Sequence, residues 1–367
     1  MAAEPTIRVL LIAPSLRILG GQSVQATRLI ACLSQAPSVQ IDFQPIDSRL
    51  PDWLAGIRFL RTACSFAAYC ARVMARAPRY DILHVFSAAY YSYSLWTLPA
   101  LLFAKLYGKK IILNYRDGQA EDHLKSWRSA IPTIRKMDAI VTPSGFLVDV
   151  FGRFGFEAQS ISNIIDMSQF RYRRRGKLRP LFLHNRILEP LYNIECTLRA
   201  FALIQERYPE ARLTLAHDGP SRPELERFAR ELGLRHTEFI GRVPHPKIAD
   251  LYDAADIYLT SPDFDCMPGS LLECFASGLP VIATRAGGIP YIAADEETAL
   301  LIPCNDHRAM AACAFRLLED QALVERLTAR AYEECQRFGA GPVRDQWVAL
   351  YRRLLKVDRS EYDKGYP

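Results

Sequence analysis

The chain has 367 residues, half of them hydrophobic and 23% charged, with a net charge of +6. That balance excludes a disordered chain, and the absence of a Gly-X-Y period, a charge block or a 20-to-50-residue repeat excludes fibrous and solenoid architectures. The length suits two domains rather than one core. The charge is uneven: residues 1–170 carry +6, residues 171–180 another +6, and residues 181–367 carry −6. Two domains with different partners are expected.

The amino terminus, MAAEPTIRVLLIAP, has an acid before its apolar run and no basic n-region, so it reads as a first strand and not a signal peptide. Residues 7–14 (IRVLLIAP), 81–87 (DILHVFS), 111–115 (IILNY) and 139–143 (AIVTP) are short apolar runs separated by helical stretches. Such alternation predicts buried parallel strands in βαβ units. Gly20 and Gly21 follow the first strand and open a helix, a placement that lets backbone N–H groups approach an anion. The spacing is neither the dinucleotide fingerprint nor a P-loop, and a plain turn explains it equally well.

Two further stretches of this half bear on membranes. Residues 87–104 (SAAYYSYSLWTLPALLFA) contain no charge across eighteen residues, the length at which a spanning helix becomes a candidate. Three Ser, a Pro and the flanking strands favour a crossover helix buried under the sheet. Arg58, Arg61, Arg72, Arg76 and Arg79 fall on one side of a helical wheel, with Leu60, Ala63, Ala67, Cys70 and Met74 opposite. This predicts either a solvated face or contact with an anionic membrane surface through Arg58, Arg61, Arg72 and Arg76.

Residues 171–179 (RYRRRGKLR) lack an apolar face and are expected to be a basic linker. Beyond them the strand rhythm returns at 180–184, 211–216, 237–240, 256–261 and 280–284, with helix patterns near 193–208, 221–232, 246–254 and 269–278. After Pro303 only helices are recognisable, the last at 343–357. The expected domains are therefore 1–170, with the helix of 343–367 packing back on it, and 180–342. Both are doubly wound α/β units with parallel sheets.

The segment 261–289 (SPDFDCMPGSLLECFASGLPVIATRAGGI) carries most chemistry. Asp265 stands in a polar loop, a helix starts near Pro268, and Glu273 lies eight residues after Asp265. The N–H groups of Gly269, Ser270 and Leu271 at the helix start suit a diphosphate. One carboxylate can accept from a ribose hydroxyl pair and the other can address a sugar. A purely structural reading makes Glu273 an acid favoured by the helix dipole, but leaves Asp265 and the Gly287-Gly288 loop unexplained. Arg186 follows a strand directly, where the carboxyl ends of strands face a ligand crevice, and could bind a leaving diphosphate.

These residues resemble the retaining glycosyltransferases of family 4, of the GT-B architecture, over most of the second half. NRILEPLYNIECTLRAF, LTLAHDGPSRPELE, FIGRVP and LLECFASGLPVIATRAGGIP are similar to successive family motifs in the family's order. The amino-terminal likeness, a Gly-Gly loop and residues 81–84, is looser. The resemblance implies two Rossmann-like domains facing a central cleft, and sugar transfer with retention from a UDP- or GDP-sugar to a glycan or lipid-linked hydroxyl, without metal or other cofactor. It implies a donor site of Gly20, Gly21, Arg186, Arg242, Met267, Pro268, Gly269, Ser270, Leu271 and Glu273. Catalytic roles would fall to Arg186, Asp265, Glu273 and Asp117, and the acceptor side to Arg116, Asp117 and His123.

Three departures stand out. Residues 189–193 (EPLYN) lack the family's phosphate-binding lysine, Asp265 replaces a glutamate, and Arg116 stands where a histidine is usual. They motivate the alternative of a catalytically degenerate GT-B protein that acts as a binding partner. A nicotinamide oxidoreductase lacks its glycine fingerprint, and nucleic-acid binding would rest on RYRRRGKLR alone. Nine scattered cysteines without a C-x-x-C pair argue against disulfides and structural zinc and point to a reducing, cytoplasmic location, with the arginine-faced helix adding the alternative of a peripheral place on the inner face of the cell membrane.

Overall fold

A computed structural model describes residues 6–16, 21–47, 58–244 and 247–362, without the side chains of 58, 59 and 356–362. Gly20 lies outside the described residues, as does the side chain of Arg58. The chain forms two compact units, residues 1–164 with 340–367, and residues 165–339.

The first unit has one parallel sheet of β1 (Ile7–Ala13), β2 (Val39–Pro45), β3 (Ile82–Ser87), β4 (Lys110–Tyr115), β5 (Ala139–Thr142) and β6 (Ala158–Ser160), ordered β2-β1-β3-β4-β5-β6. Its connecting helices include α1 (Gly21–Leu33), α2 (Arg58–Arg76), α3 (Leu98–Leu106) and α4 (Ala120–Ser126). The second sheet contains β7 (Leu181–His184), β8 (Arg212–Ala216), β9 (Thr237–Gly241), β10 (Ile257–Thr260), β11 (Val281–Thr284) and β12 (Leu300–Ile302), again all parallel, in the order β12-β11-β10-β7-β8-β9. Among its helices are α5 (Ile194–Arg207), α6 (Ile248–Ala254) and α7 (Gly269–Ala276). The last helix, α8 (Ala340–Tyr362), returns to the first unit, where Val343, Trp347, Leu350 and Tyr351 are buried with Leu29 and Leu33 of α1.

Apolar runs buried on both faces make the central strands, as parallel sheets require. All seven residues of β1 except Arg8 are buried. In the second unit Leu183, Tyr258 and Val281 face one core layer while Phe182, Ile257 and Ile282 face the other. Each sheet has one point where strand order reverses, between β1 and β3 in the first and between β7 and β10 in the second. Ligands of open α/β sheets bind at such switch points, outside the carboxyl ends of the strands.

Several expectations need correction. Residues 171–179 are no linker, because the first unit ends at Ile164 and the basic run lies against the second unit. Its arginines have partners: Arg173 and Arg179 each reach the buried Asp256 at 2.8 Å, and Arg175 is itself buried. The boundary before β7 therefore falls at 164/165 instead of 170. The stretch 87–104 does not form a spanning helix; it holds a short helix at Tyr90–Ser92, a π-helical turn at Tyr93–Thr97 and the start of α3. No helix among the described residues is long and apolar enough to cross a membrane.

The face of α2 departs from expectation in part, since Arg61 is exposed and Cys70 packs against the core as expected. Arg76 points into the unit and donates to the Phe43 carbonyl (2.9 Å), Gln44 (3.0 Å) and Tyr80 (3.1 Å), while Leu60, Ala63, Ala67 and Met74 are exposed. Tyr69 and Val73 fill the buried side in place of the small apolar stripe. The arginines therefore do not form one outward array.

The Asp256 cluster gives a pH test. Burial alone would raise this carboxyl, but hydrogen bonds and charge from Arg179 and Arg173 hold it below its ordinary value. A carboxyl depressed in the folded state stabilises at neutral pH, and that contribution disappears as pH falls through the folded-state value. Asp256→Asn should lower the melting temperature near pH 7 and shrink its further fall between about pH 5 and pH 2. Thermal unfolding across that range reads both effects, and a parallel displacement of the two curves would contradict the assignment.

Candidate functional site

The second sheet's switch point gathers the predicted residues of this unit except Arg242. Arg186 leaves the carboxyl end of β7, and the loop bearing Asp265 leaves that of β10. Arg186 forms an ion pair with Asp265, and its guanidinium stacks over the Tyr192 ring at 4.4 Å. Burial alone would lower the arginine's pKa, yet the Asp265 charge raises it above its ordinary value, so the group is held firmly cationic. Its Nε is buried without a partner among the described residues. Tyr192 belongs to the segment in which the resemblance expects a lysine, so an aromatic face under Arg186 stands where a second cation was sought.

The Asp265 loop is fixed on three sides. Its Oδ1 accepts from the Met267 N–H at 3.1 Å, its Oδ2 faces Arg186, and its backbone carbonyl accepts from the Gly288 N–H at 2.6 Å. Gly287 has φ +51°, and a Cβ there would stand 2.4 Å from the Asp265 carbonyl oxygen. Only glycine allows this approach, which explains the Gly-Gly pair physically.

Helix α7 follows, preceded by the buried Pro268 and Met267. Its first turn offers the N–H groups of Gly269 and Ser270; that of Leu271 is already donated to the Pro268 carbonyl at 3.2 Å, which corrects its inclusion among the anion-binding groups. Glu273 lies one turn in and is 9% exposed. Its Oε2 accepts from the Tyr252 hydroxyl at 2.7 Å; Asn185 Nδ2 donates to that hydroxyl at 2.7 Å, and Asn185 Oδ1 accepts from Tyr258 at 2.8 Å. A buried chain of hydrogen bonds thus joins Glu273 to the residue beside Arg186. The sequence reading missed Tyr252, Tyr258 and Asn185. A signal existed, since a tyrosine and a glutamate within apolar helical stripes each require a polar partner.

Arg175, misread as linker, braces these helices. It is 4% exposed and its guanidinium donates to the Tyr252 carbonyl (2.6 Å), the Ala255 carbonyl (3.2 Å), the Ser277 carbonyl (2.8 Å) and the Gly278 carbonyl. Those carbonyls are at the carboxyl ends of α6 and α7, where a cation also meets the negative end of the helix dipole. Burial lowers its pKa to about 10, and Arg173 adds to the shift, but it remains charged at neutral pH.

The remaining predicted residues are elsewhere. Arg242 is exposed just after β9. Gly21 opens α1 in the first unit. Arg116, after β4, donates to Asn114 (3.3 Å) and Asn163 and lies 4.7 Å from the Phe86 ring centroid. Asp117 shapes its loop: Oδ2 accepts from the Ala89 N–H (2.9 Å) and Oδ1 from the Gln119 N–H (3.0 Å). His123 is fully buried, bonded through Nδ1 to the Tyr115 hydroxyl at 2.9 Å, and burial lowers its pKa. It is therefore a core residue and not an open acceptor contact.

Two six-stranded parallel units of this kind make the GT-B fold, and solved GT-B glycosyltransferases share it. HepE of Anabaena, solved with UDP and glucose, superposes with a TM-score of 0.73 at 15% identity, covering 94% of this chain and 99% of that one. Residues 169–334 match the family described as glycosyl transferases group 1, so the second unit is a domain of that family. Similar curated proteins include the exopolysaccharide phosphotransferase of Streptomyces coelicolor, 32% identical over 46% of this chain and 18% of its own, and the lipopolysaccharide core biosynthesis glycosyltransferase LpsD of Rhizobium meliloti, 32% identical over 42% and 44%. The matched part of the chain spans less than half the length of either.

Replacing Arg175 with Met should leave the Tyr252 and Gly278 carbonyls without this donor, while those of Ala255 and Ser277 keep Arg173. At about 1–3 kcal/mol for each buried polar group left unsatisfied, the loss should reach several kcal/mol. Chemical denaturation measures it, and a loss below about 1 kcal/mol would show that the guanidinium does not brace the helices.

Proposed function

We propose that the protein transfers a sugar from a nucleoside-diphosphate donor to a hydroxyl acceptor, with retention of anomeric configuration. The observation that carries this reading is the meeting of Arg186, Asp265, the α7 start and Glu273 at the switch point of the second sheet. The group 1 family match and HepE's complex with UDP and glucose support the same donor class. LpsD's name, a lipopolysaccharide core biosynthesis glycosyltransferase, supports a glycan or lipid-linked acceptor and a role in polysaccharide or glycolipid synthesis.

In this reading Glu273 accepts from the ribose hydroxyls, with Tyr252 orienting it. The diphosphate lies against Arg186 and the N–H groups of Gly269 and Ser270. Donor entry exchanges the Arg186–Asp265 pair for an Arg186–phosphate pair and frees Asp265 for the transferred sugar. As the bond to the sugar breaks, Arg186 and the helix dipole hold the charge that develops on the diphosphate, in the place of a metal ion. A diphosphate oxygen then takes the acceptor's proton on the same face of the sugar, so catalysis consists of positioning and charge stabilisation. The absence of a basic residue in 189–193 favours the second reading, a degenerate site that binds without turnover. Contact with an anionic membrane loses support because Arg76 is engaged inside its own unit.

Thermal shift with UDP, GDP and ADP separates these readings. At 100 times its dissociation constant a ligand stabilises the folded state by about 2.7 kcal/mol. One nucleotide should raise the melting temperature, and Glu273→Ala should weaken its binding roughly 10- to 100-fold, the equivalent of one charge-assisted hydrogen bond. Glu273→Gln should retain part of it. A nucleotide shift without sugar transfer or donor hydrolysis would select the binding reading, and unchanged affinity in Glu273→Ala would remove the assigned site.

A further inference from the structure

At the carboxyl ends of β3 and β4, next to the switch point of the first sheet, unusual backbone and unusual side chains coincide. β3 ends at Ser87, and Tyr90 follows with φ +55°, a left-handed conformation that strains a bulky residue. The conformation is held from the β4 side, where Asp117 accepts from the Ala89 N–H and Asp122 accepts from the Tyr90 hydroxyl. Immediately afterwards the helix passes through a π-helical turn at Tyr93–Thr97, a distortion frequent at functional sites.

The distorted segment assembles rings. Tyr93 and Tyr115 are buried around His123, with centroid separations of 5.3 Å and 5.9 Å, and form a floor. Tyr90 stands 5.3 Å from His123 and 5.9 Å from Trp127. Tyr91 meets Trp127 edge-on at 5.2 Å and is 75% exposed. The strained Tyr90 is half-buried, and the next residue, Tyr91, holds its ring in solvent beside a half-buried tryptophan, an arrangement of rings suited to a ligand.

We propose that Tyr90, Tyr91 and Trp127 form a stacking platform for an uncharged pyranose ring, so that the acceptor is a glycan presenting a neutral sugar. The identification as acceptor rests on the sugar-transfer reading; the platform itself does not. An aromatic face matches the C–H face of a pyranose, and carboxylates at its border match the hydroxyls. Asp117 and Asp122 supply such carboxylates and repel an anionic ligand. Burial keeps His123 uncharged, so the floor offers an anion nothing. Lys125 is paired with Glu121, so the cations an anionic ligand would use are Arg128, next to Trp127 in sequence, and Arg116, which donates to the uncharged Asn114 and Asn163.

The test is binding of the full chain, saturated with UDP, to an array of neutral and acidic oligosaccharides, with fluorescence titration of the strongest neutral probe. Tyr91→Ala and Trp127→Ala should each weaken that probe at least tenfold, Trp127→Phe should restore most of the loss, and Arg128→Gln should change little. UDP-induced thermal shift on the same samples should be unaffected, which also reports that the variants fold. The proposal is overturned if no neutral glycan binds, if affinity survives both alanine variants, or if only acidic glycans bind and depend on Arg128 or Arg116. Glycan binding by the platform without any nucleotide shift would instead sink the donor reading and leave a carbohydrate-binding surface.

Discussion

The geometry of the second unit depends on one buried charge. Arg175 carries its guanidinium into a site 4% exposed, where desolvation opposes it, and is tolerated there because backbone carbonyls surround it. The acceptors are the loose ends of α6 and α7, four carbonyls that helix geometry leaves without intrahelical donors. Joining those ends sets the spacing of the two helices, and from their facing sides Tyr252 and Glu273 meet at 2.7 Å. Asn185 and Tyr258 extend the contact to the end of β7 and thus to Arg186. A basic stretch far from the site in sequence therefore controls a carboxylate within it.

The same chain of bonds explains which features could be read from the sequence. Central strands such as β1, β3 and β10 are apolar on both faces, so each is visible as a run of Val, Ile and Leu. β2 (VQIDFQP) was invisible because it is an edge strand with alternating polar residues, and β6 and β12 have only three residues each. Asp265, Glu273 and Arg186 were legible because strand ends and a helix start position them locally. Arg175 was not, because a run of arginines carries the same signature whether water or carbonyls surround it. The orientation of α2 failed for a related reason: hydrophobic periodicity located two faces, but Tyr69, Val73 and the hydrogen bonds of Arg76 decided which of them turned inward.

The strand ends of the two sheets carry different chemistry. In the second, strand ends bring together an arginine, a carboxylate and a helix start, groups suited to a charged diphosphate and its ribose. In the first, the loops after β3 and β4 bring together rings with carboxylates at the edge, groups suited to a neutral sugar. The contrast follows the charge division of the sequence only in part, because the basic excess of residues 1–170 does not sit on the platform: Asp117 and Asp122 border it. Net charge described the first half without describing its site.

The Arg186–Asp265 pair links the fold to the proposed chemistry. Breaking a buried ion pair by removing one partner costs about 3–5 kcal/mol, because the other charge is left without compensation. A diphosphate that takes over Arg186 avoids that penalty, since the guanidinium exchanges one anion for another and the released carboxylate finds sugar hydroxyls. Tyr192 keeps the guanidinium plane in position through the exchange, at 4.4 Å from its ring. A lysine in place of Tyr192 would add charge but no such face. The departure from the pattern the sequence resembles is thus compatible with a working site, one stacked arginine and a helix dipole standing where that pattern implies an arginine and a lysine.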